Sequence, residues 1–386
     1  MKINFGLKTE DELLLYLAQT SLNSETKRKI SLLIDGKIEW NYLIDKASKN
    51  GLKPLLYLNL KNFSNKIPKS ILNSFKEFYL MNSQKNLMFF AEMLRLLKIF
   101  EENMITLIPY KGPLMAFLAY GDLSLREFSD LDMLIHKEDF PAVKKILLND
   151  DYKPLLNLDY SKEVEYLKSQ REYKFKNIKN GLILEIQWNT VGSSFTFPNE
   201  FSYPLDQENF KLISIYNRNI KIFSSEDLIL ILSLHVAEHL WERLSWICDI
   251  VEFIKRTENI NWDQIIKKAD FLGIERILYL NLALSQTIFN LELPDKVQIK
   301  IKNDTEIKDL EKRILKIIFA PETFKFMDKV ILRFKIREYC INGFKDILKI
   351  LIIPHSDEWV AFEKNYPISL LYILIRPKQI IKRIKE

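Results

Sequence analysis

The sequence predicts an α+β protein in which a small mixed sheet lies between two helical regions. Apolar residues recur at helical spacing in residues 1–95 and again after Ser224, whereas residues from about 96 to 222 alternate between strand-like and helix-like segments. We therefore expect an N-terminal helical region (1–95), a mixed core (96–222) and a C-terminal helical domain (223–386).

Local signals place several helices in these regions. Helical spacing predicts helices over residues 10–19 and 40–50, and a long helix from Pro68 towards Phe100. Within the mixed core, a helix is predicted over residues 138–148. The pattern Ser224-x-x-Asp227 is typical of a helix N-cap and begins the C-terminal helical domain.

The most informative chemical pattern is a pair of aspartates separated by one residue, Asp130 and Asp132. On a β-strand both side chains lie on one face, about 7 Å apart. Two such carboxylates are costly to bury together unless cations neutralise them, and oxygen ligands suit Mg²⁺ or Mn²⁺. The pattern favours metal-assisted phosphate chemistry, while two solvated carboxylates at a strand end are the alternative.

An anion-binding feature precedes this pair. Residues 105–110 are strand-like, Lys111 and Gly112 follow, and Pro113 fits the first position of a helix over residues 114–120. Backbone N–H groups beside a lysine attract phosphate. The same residues could equally form a simple strand-to-helix connection. Phosphate binding is predicted because the turn is followed in order by a helix, by Arg126 and by the two aspartates.

A third acid lies on a predicted hairpin. Asn180-Gly181 between the β-rich segments 172–178 and 182–188 is a strong hairpin signal. Glu185 is on the face opposite Leu184 and Ile186. It is either an exposed edge-strand glutamate or, if its strand lies beside the aspartate strand, the third carboxylate of a two-metal site.

These motifs resemble the uncharacterised bacterial nucleotidyltransferases of the DNA polymerase β-like superfamily. The resemblance covers roughly residues 105–262, about 160 residues. It rests on five segments: Tyr110-Lys-Gly112, Tyr120-Gly-Asp122 leading to Arg126, Ser129-Asp-Leu-Asp132, Glu185-Ile-Gln-Trp188, and residues 239–249, which match a helical His-Trp-Leu-Trp-Asp signature. It implies a polymerase β-like mixed sheet. Gln187 departs from the family pattern, which has histidine there, and so does Pro113, where a small residue is commoner.

The resemblance implies Mg²⁺- or Mn²⁺-dependent transfer of a nucleoside monophosphate from a nucleoside triphosphate to an acceptor hydroxyl. Asp130 and Asp132 are expected to hold one metal ion, and Asp132 and Glu185 the second. The β- and γ-phosphates are expected to bind Lys111, the Gly112 backbone and Arg126, with Ser129 orienting them. An ion pair of Arg126 with Glu127 or Asp122 is the alternative for that residue.

Two other functions fit parts of the sequence. The first is a non-catalytic partner protein that keeps the fold and binds a nucleotide or peptide. The second is a zinc metalloprotease, because His235-Val-Ala-Glu-His239 matches the His-x-x-Glu-His signature of one protease class. The acceptor of a nucleotidyl group could be a protein, a peptide, an RNA end, a sugar or a small molecule.

Composition sets broad limits. The 386 residues are 47% hydrophobic, and a net charge of +6 gives no support for nucleic-acid binding by itself. The two cysteines, Cys248 and Cys340, lack metal-site spacing and favour a reducing, cytoplasmic setting, and apolar runs are too short to span a bilayer. The basic segment 368–385 is expected to dock on the protein body, with a surface-binding tail as the alternative.

Overall fold

The computed structural model describes residues 7–190, 195–197, 210–353 and 359. In this part of the chain, a five-stranded mixed sheet has the order β1-β2-β5-β4-β3, and a separate hairpin consists of β6 and β7. The strands are β1 (Ile108–Pro109), β2 (Asp130–Leu134), β3 (Tyr152–Pro154), β4 (Glu172–Asn177), β5 (Ile183–Gln187), β6 (Phe210–Ile215) and β7 (Arg218–Phe223). Only the β2–β5 pair is parallel within the five-stranded sheet.

Helices precede the sheet. They are α1 (Thr9–Leu17), α2 (Ser24–Ile34), α3 (Trp40–Asn50), α4 (Lys53–Leu60) and α5 (Lys69–Glu102). The 34-residue α5 continues through residue 95, where the sequence placed the start of the mixed core. Its buried residues, including Phe89, Phe90 and Met93, pack against the sheet, so this long helix links the N-terminal region to the core.

Within the core, the predicted helix after Gly112 forms in two parts. A short α6 (Gly112–Met115) continues directly as a π-helical turn (Ala116–Tyr120). The other core helices are α7 (Phe140–Asn149) and α8 (Tyr160–Ser169). Helix α7 begins two residues later than predicted, because a 3-10 turn (Lys137–Asp139) precedes it.

The C-terminal region is helical over its described residues. Its helices are α9 (Ser225–Glu238), α10 (Leu244–Arg256), α11 (Trp262–Leu272), α12 (Glu275–Phe289), α13 (Asp295–Asn303), α14 (Ile307–Phe319), α15 (Phe326–Lys335) and α16 (Cys340–Ile352). Ser224 caps α9 as predicted, since its hydroxyl accepts a hydrogen bond of 3.1 Å from the Asp227 backbone N–H. The predicted basic segment 368–385 lies outside the described residues.

The two faces of the sheet pack into different apolar clusters. Leu131, Met133 and Leu184 point towards α5 and α7. Tyr110 and Leu134 belong to the cluster formed by the N-terminal helices and α9 to α12. Because side chains alternate along a strand, the acids of β2 and β5 lie on the same side as Leu134, facing the C-terminal helices.

The predicted α+β class, with a mixed sheet flanked by helices on both sides in the chain, is confirmed. The hairpin at Asn180-Gly181 forms, and β5 lies beside β2. Helix α2, on which only Ile30 and Ile34 are buried, was not predicted from the sequence. In the described part of the chain, no helix is long and apolar enough to cross a membrane.

Candidate functional site

The parallel pairing of β2 and β5 brings two acids side by side. Asp132 and Glu185 are directly opposed in the register of the two strands. Both are buried, at 7% and 8% exposure. Asp130 lies two residues before Asp132, on the same face and at the more accessible end of β2. The sheet therefore brings the predicted acids of β2 and β5 together on its helix-covered face.

A single amide joins the two opposed acids. The Nε2 group of Gln187 donates hydrogen bonds of 3.0 Å to Asp132 Oδ1 and 3.0 Å to Glu185 Oε2. These two carboxylate oxygens are therefore no more than 6.0 Å apart. The Tyr110 hydroxyl donates to Gln187 Oε1 and thereby fixes which way the amide points. Gln187 is thus part of the site, although the sequence identified it only as a departure from the family pattern.

Lys111 lies against the same pair. Its Nζ is 3.3 Å from Asp132 Oδ1, and the side chain is buried. Burial is the largest single effect and disfavours the charged amine, but Asp132, Tyr110 and Glu185 together outweigh it, so the pKa of Lys111 is raised. Lys111 is therefore a cation at neutral pH, at the position predicted for phosphate binding.

Gly112 adopts a conformation that few other residues tolerate. Its φ is +51°, and a Cβ atom at this position would lie 3.0 Å from the backbone oxygen of Asp130. Glycine is thus required both by the left-handed backbone and by the close approach of two chain segments. The turn at Lys111 and Gly112, which we call the Lys-Gly turn, is held directly against the start of β2.

A second cation lies on the other side of Glu185. Lys174, opposite Glu185 in the β4–β5 register, forms an ion pair with it and another of 3.2 Å with Glu172. Lys174 belongs to no recognisable motif and was not predicted to be part of the site. The hairpin register contained the signal, because a turn at residues 179–181 places residue 174 opposite residue 185.

Two of the three acids have pKa values above the ordinary range of a carboxyl group. Burial raises the pKa of Asp130 to about 6, and the neighbouring Asp132 charge adds to this effect. Burial, followed by the charges of Glu172 and Asp132, raises the pKa of Glu185 to about 7. Such shifts are expected where several carboxylates are arranged to share cations. The donor set consists of carboxylate oxygens, which fits Mg²⁺ or Mn²⁺.

Arg126 has a different partner from those considered in the sequence. Its guanidinium forms hydrogen bonds of 3.0 and 2.9 Å with Asp249 of α10, and neither Glu127 nor Asp122 takes part in them. Tyr120 also donates to Asp249 at 2.8 Å. The Nη1 group is 3.4 Å from the Gly112 carbonyl oxygen. Arg126 thus anchors the Lys-Gly turn to α10, and its direct contact with a nucleotide stays a prediction.

Ser129 lies at the surface beside the acids. Its hydroxyl is 3.5 Å from Asp130 Oδ2, at the limit of a hydrogen bond. The side chain is exposed and can reach a ligand that enters at the open end of β2. Its predicted role in orienting phosphates is untested.

A second cluster of metal-binding side chain types lies at the end of α9. Ligand atoms of His235, Glu238 and His239 are all within 4.8 Å of one another. Among the described residues this is the only trio of histidine, cysteine or acidic side chains that meets this distance, so Asp130, Asp132 and Glu185 do not converge as tightly. Arg171 forms an ion pair of 3.2 Å with Glu238. Burial lowers the pKa of His235, and the positive charge of Lys111, which lies near the cluster, lowers it further.

These features define a class of protein: an α+β protein in which buried acids on adjacent strands lie beside the Lys-Gly turn. A family model described as an uncharacterised nucleotidyltransferase matches residues 36–290, well over half of the chain. The chain therefore belongs to this family of nucleotidyltransferases. The predicted membership of an uncharacterised nucleotidyltransferase family is confirmed, and the match also includes part of the N-terminal helical region.

Two solved structures are similar over part of the chain. One is the crystal structure of lincosamide antibiotic adenylyltransferase LnuA bound to lincomycin, with 18% identity and a TM-score of 0.32 over 43% of this chain and 97% of that one. The other is the solution structure of the antibiotic-resistance factor ANT(2'')-Ia, with 12% identity and a TM-score of 0.32 over 49% and 92%. Scores this low carry no argument about this chain. Comparison with curated proteins found no match.

Proposed function

We propose that this nucleotidyltransferase is metal-dependent and moves a nucleoside monophosphate from a nucleoside triphosphate to an acceptor hydroxyl. The alignment of Asp132 with Glu185 across the parallel strand pair carries the proposal. Asp130 adds a third carboxylate on the same face, and Lys111 adds a buried cation 3.3 Å from Asp132. An apolar or purely structural sheet face has no reason to bury this combination of charges.

The acids fit a pair of hard divalent cations. Asp130 and Asp132 would hold one Mg²⁺ or Mn²⁺ ion, and Asp132 and Glu185 the other. The raised pKa values of Asp130 and Glu185 support this assignment, because burial and then repulsion among the carboxylates raise them, and neighbouring cations only partly offset these effects. When bound, such ions would lower the pKa of the acceptor hydroxyl and stabilise charge on the transferred phosphoryl group.

Residues of the Lys-Gly turn would receive the triphosphate. Lys111 is fixed by Asp132 and offers a positive charge, and Gly112 has no side chain of its own to obstruct a phosphate. Arg126 supports the turn through the Gly112 carbonyl group and adds positive charge nearby. Ser129, exposed at the end of β2, would complete the contacts with phosphate oxygens.

Lys174 and Gln187 would keep Glu185 in place until a nucleotide arrives. Lys174 binds Oε1 of Glu185, and Gln187 binds Oε2, so both oxygens are engaged. The amide of Gln187 ties Glu185 to Asp132 and limits the separation of the two acids. Preorganisation of this kind lowers the reorganisation required for reaction.

The test is pyrophosphate release by the purified protein with Mg²⁺ or Mn²⁺ and each labelled nucleoside triphosphate, supplied with candidate hydroxyl acceptors. We expect release with the wild-type protein and its loss in Asp132→Asn. Glu138→Gln is the matched control, because Glu138 is an exposed acid six residues beyond Asp132. Release that is equal in wild type and Asp132→Asn would contradict the proposed site.

The second function considered from the sequence was a non-catalytic binding protein. Nucleotide binding in equilibrium dialysis without pyrophosphate release, over a broad set of protein, RNA, sugar and small-molecule acceptors, would favour it. Nucleotidyl transfer to an identified acceptor, seen as a gain in acceptor mass, would exclude it.

A further inference from the structure

The His-x-x-Glu-His segment of α9 forms a compact set of ligands. His235, Glu238 and His239 are three and four residues apart, so they lie on one helical face. Their ligand atoms are all within 4.8 Å of one another, and the two imidazole rings are 4.7 Å apart. Two imidazoles and one carboxylate form a donor set that zinc and related transition metals prefer.

Neighbouring aromatic packing holds this arrangement. The Trp246 ring contacts both imidazoles, at centroid distances of 5.2 Å from His235 and 4.9 Å from His239. The chain then turns sharply, because Leu240 and Trp241 both have left-handed backbones, with φ of 51° and 55°. Such conformations cost roughly 1–3 kcal/mol each, and here they end α9 directly after the cluster.

One nitrogen of the cluster lacks a partner. Within the described part of the chain, Nδ1 of His235 is buried and has no hydrogen-bond partner. An unsatisfied buried polar atom costs about 1–3 kcal/mol, so native structures usually supply a partner, a water or an ion. This observation is independent of the proximity of the three side chains, and it also indicates that the cluster binds a ligand.

The charges near the cluster discriminate between kinds of cation. Arg171 is 3.2 Å from Glu238 Oε2, and Lys111 is also nearby. These positive charges disfavour the binding of a cation such as Mg²⁺, which is held mainly by electrostatic attraction. A metal that forms strong bonds to imidazole nitrogen can still bind, since a carboxylate can accept an arginine through one oxygen and coordinate through the other.

We propose that His235, Glu238 and His239 bind one transition-metal ion of the zinc class, at a site separate from the carboxylates of β2 and β5. Three protein ligands leave a coordination position open to water or to an oxygen atom of a substrate. This site differs from that of a His-x-x-Glu-His protease, in which the glutamate acts as a base on water. Here Glu238 is ion-paired with Arg171 and serves as a ligand.

Cobalt(II) is the appropriate probe, because its visible absorption reports nitrogen coordination without any enzymatic activity. Titration of the full-length protein, with saturating Mg²⁺ present, is expected to give one bound Co²⁺ per chain, which Zn²⁺ displaces. His239→Ala and His235→Ala are each expected to weaken binding on the order of 100-fold. His136→Ala is the matched control and should bind as the wild type does, since it removes a histidine from outside the cluster.

Two further comparisons make the test decisive. Asp132→Asn should retain Co²⁺ binding, because the ion is assigned to α9 and not to the strand acids. If His235→Ala fails to fold, as judged by circular dichroism, the exposed His239 supplies the decisive variant. Absence of a nitrogen-type spectrum, or its loss in Asp132→Asn with retention in His239→Ala, overturns the proposal. Neither outcome depends on nucleotidyl transfer.

Discussion

Arg126 and Asp249 form a buried ion pair that connects the loop before β2 to α10. Its hydrogen bonds are 2.9 to 3.0 Å long, and the two side chains are 123 residues apart in sequence. Both residues are almost completely inaccessible, at 7% and 2% exposure. The pair thereby attaches the Lys-Gly turn to the C-terminal helices.

Asp249→Asn is expected to destabilise the protein strongly, because it leaves a guanidinium charge buried without its counterion. Removing one partner of such a pair costs about 3–5 kcal/mol. Urea denaturation followed by circular dichroism measures the change in the free energy of unfolding. Lys29→Ala, which breaks an exposed pair with Glu25, is the control and should change this energy by less than about 1 kcal/mol. Equal effects of the two substitutions would show that Arg126 does not depend on Asp249.

Gly112→Ala is expected to abolish nucleotide binding. The new methyl group would lie 3.0 Å from the Asp130 carbonyl oxygen, in addition to the penalty of a φ of +51°. Gly181→Ala is a matched control, since its φ is +75° but its nearest contact is the flexible end of Lys176, at 3.9 Å. Both variants should lose roughly 1–2 kcal/mol of stability from backbone strain. Equilibrium dialysis with a labelled triphosphate should show a binding defect in Gly112→Ala alone.

Asp130→Asn is expected to stabilise the metal-free protein while removing activity. Since each pKa unit corresponds to about 1.4 kcal/mol, a rise from 3.8 to about 6 implies a gain of up to roughly 3 kcal/mol in the free energy of unfolding. A raised carboxyl pKa means that the folded protein binds the proton more tightly than the unfolded chain. The stability of the wild-type protein in a chelator should therefore fall as the pH rises from about 4 to about 7, and this fall should be smaller in Asp130→Asn. A variant that is less stable than the wild type at pH 7.5 would contradict the assigned cost of ionising Asp130, which comes from burial and then from the charge of Asp132.

Gln187→Leu is expected to reduce turnover, because it removes the donor that Asp132 and Glu185 share. Hydrogen bonds to charged groups contribute about 1.5–3 kcal/mol, which corresponds to a loss in kcat/KM on the order of 10- to 100-fold. Tyr110→Phe removes only the contact that orients the amide and should have a smaller effect. If the two variants were equally active, the amide would have no part in positioning the acids.

The acids of the candidate site were predictable because strand alternation and a hairpin signal are local properties of the sequence. Asp130, Asp132 and Glu185 could be placed on common faces from the period of two, and the parallel register then aligned Asp132 with Glu185. The partner of Arg126 was not predictable, since Asp249 lies 123 residues away and the local alternatives were Glu127 and Asp122. Contacts across such distances depend on tertiary packing, which no short window of sequence contains.

The small hairpin of β6 and β7 was also not predicted, but for local reasons. Several of its residues are accessible, with Leu212 at 68% exposure and Tyr216 at 78%. Its turn contains Tyr216 and Asn217, both with positive φ, in place of the usual Asn-Gly. Neither the alternation of apolar residues nor the turn composition therefore marked this element.

The long sequence separations within the site have a consequence for biosynthesis. Asp132 must await a partner strand that is translated 53 residues later, and Arg126 must await a helix translated later still. A ribosome-bound chain that ends before α10 thus contains Arg126 without its ion-pair partner. The Lys-Gly turn should therefore be anchored only after residue 249 has left the exit tunnel.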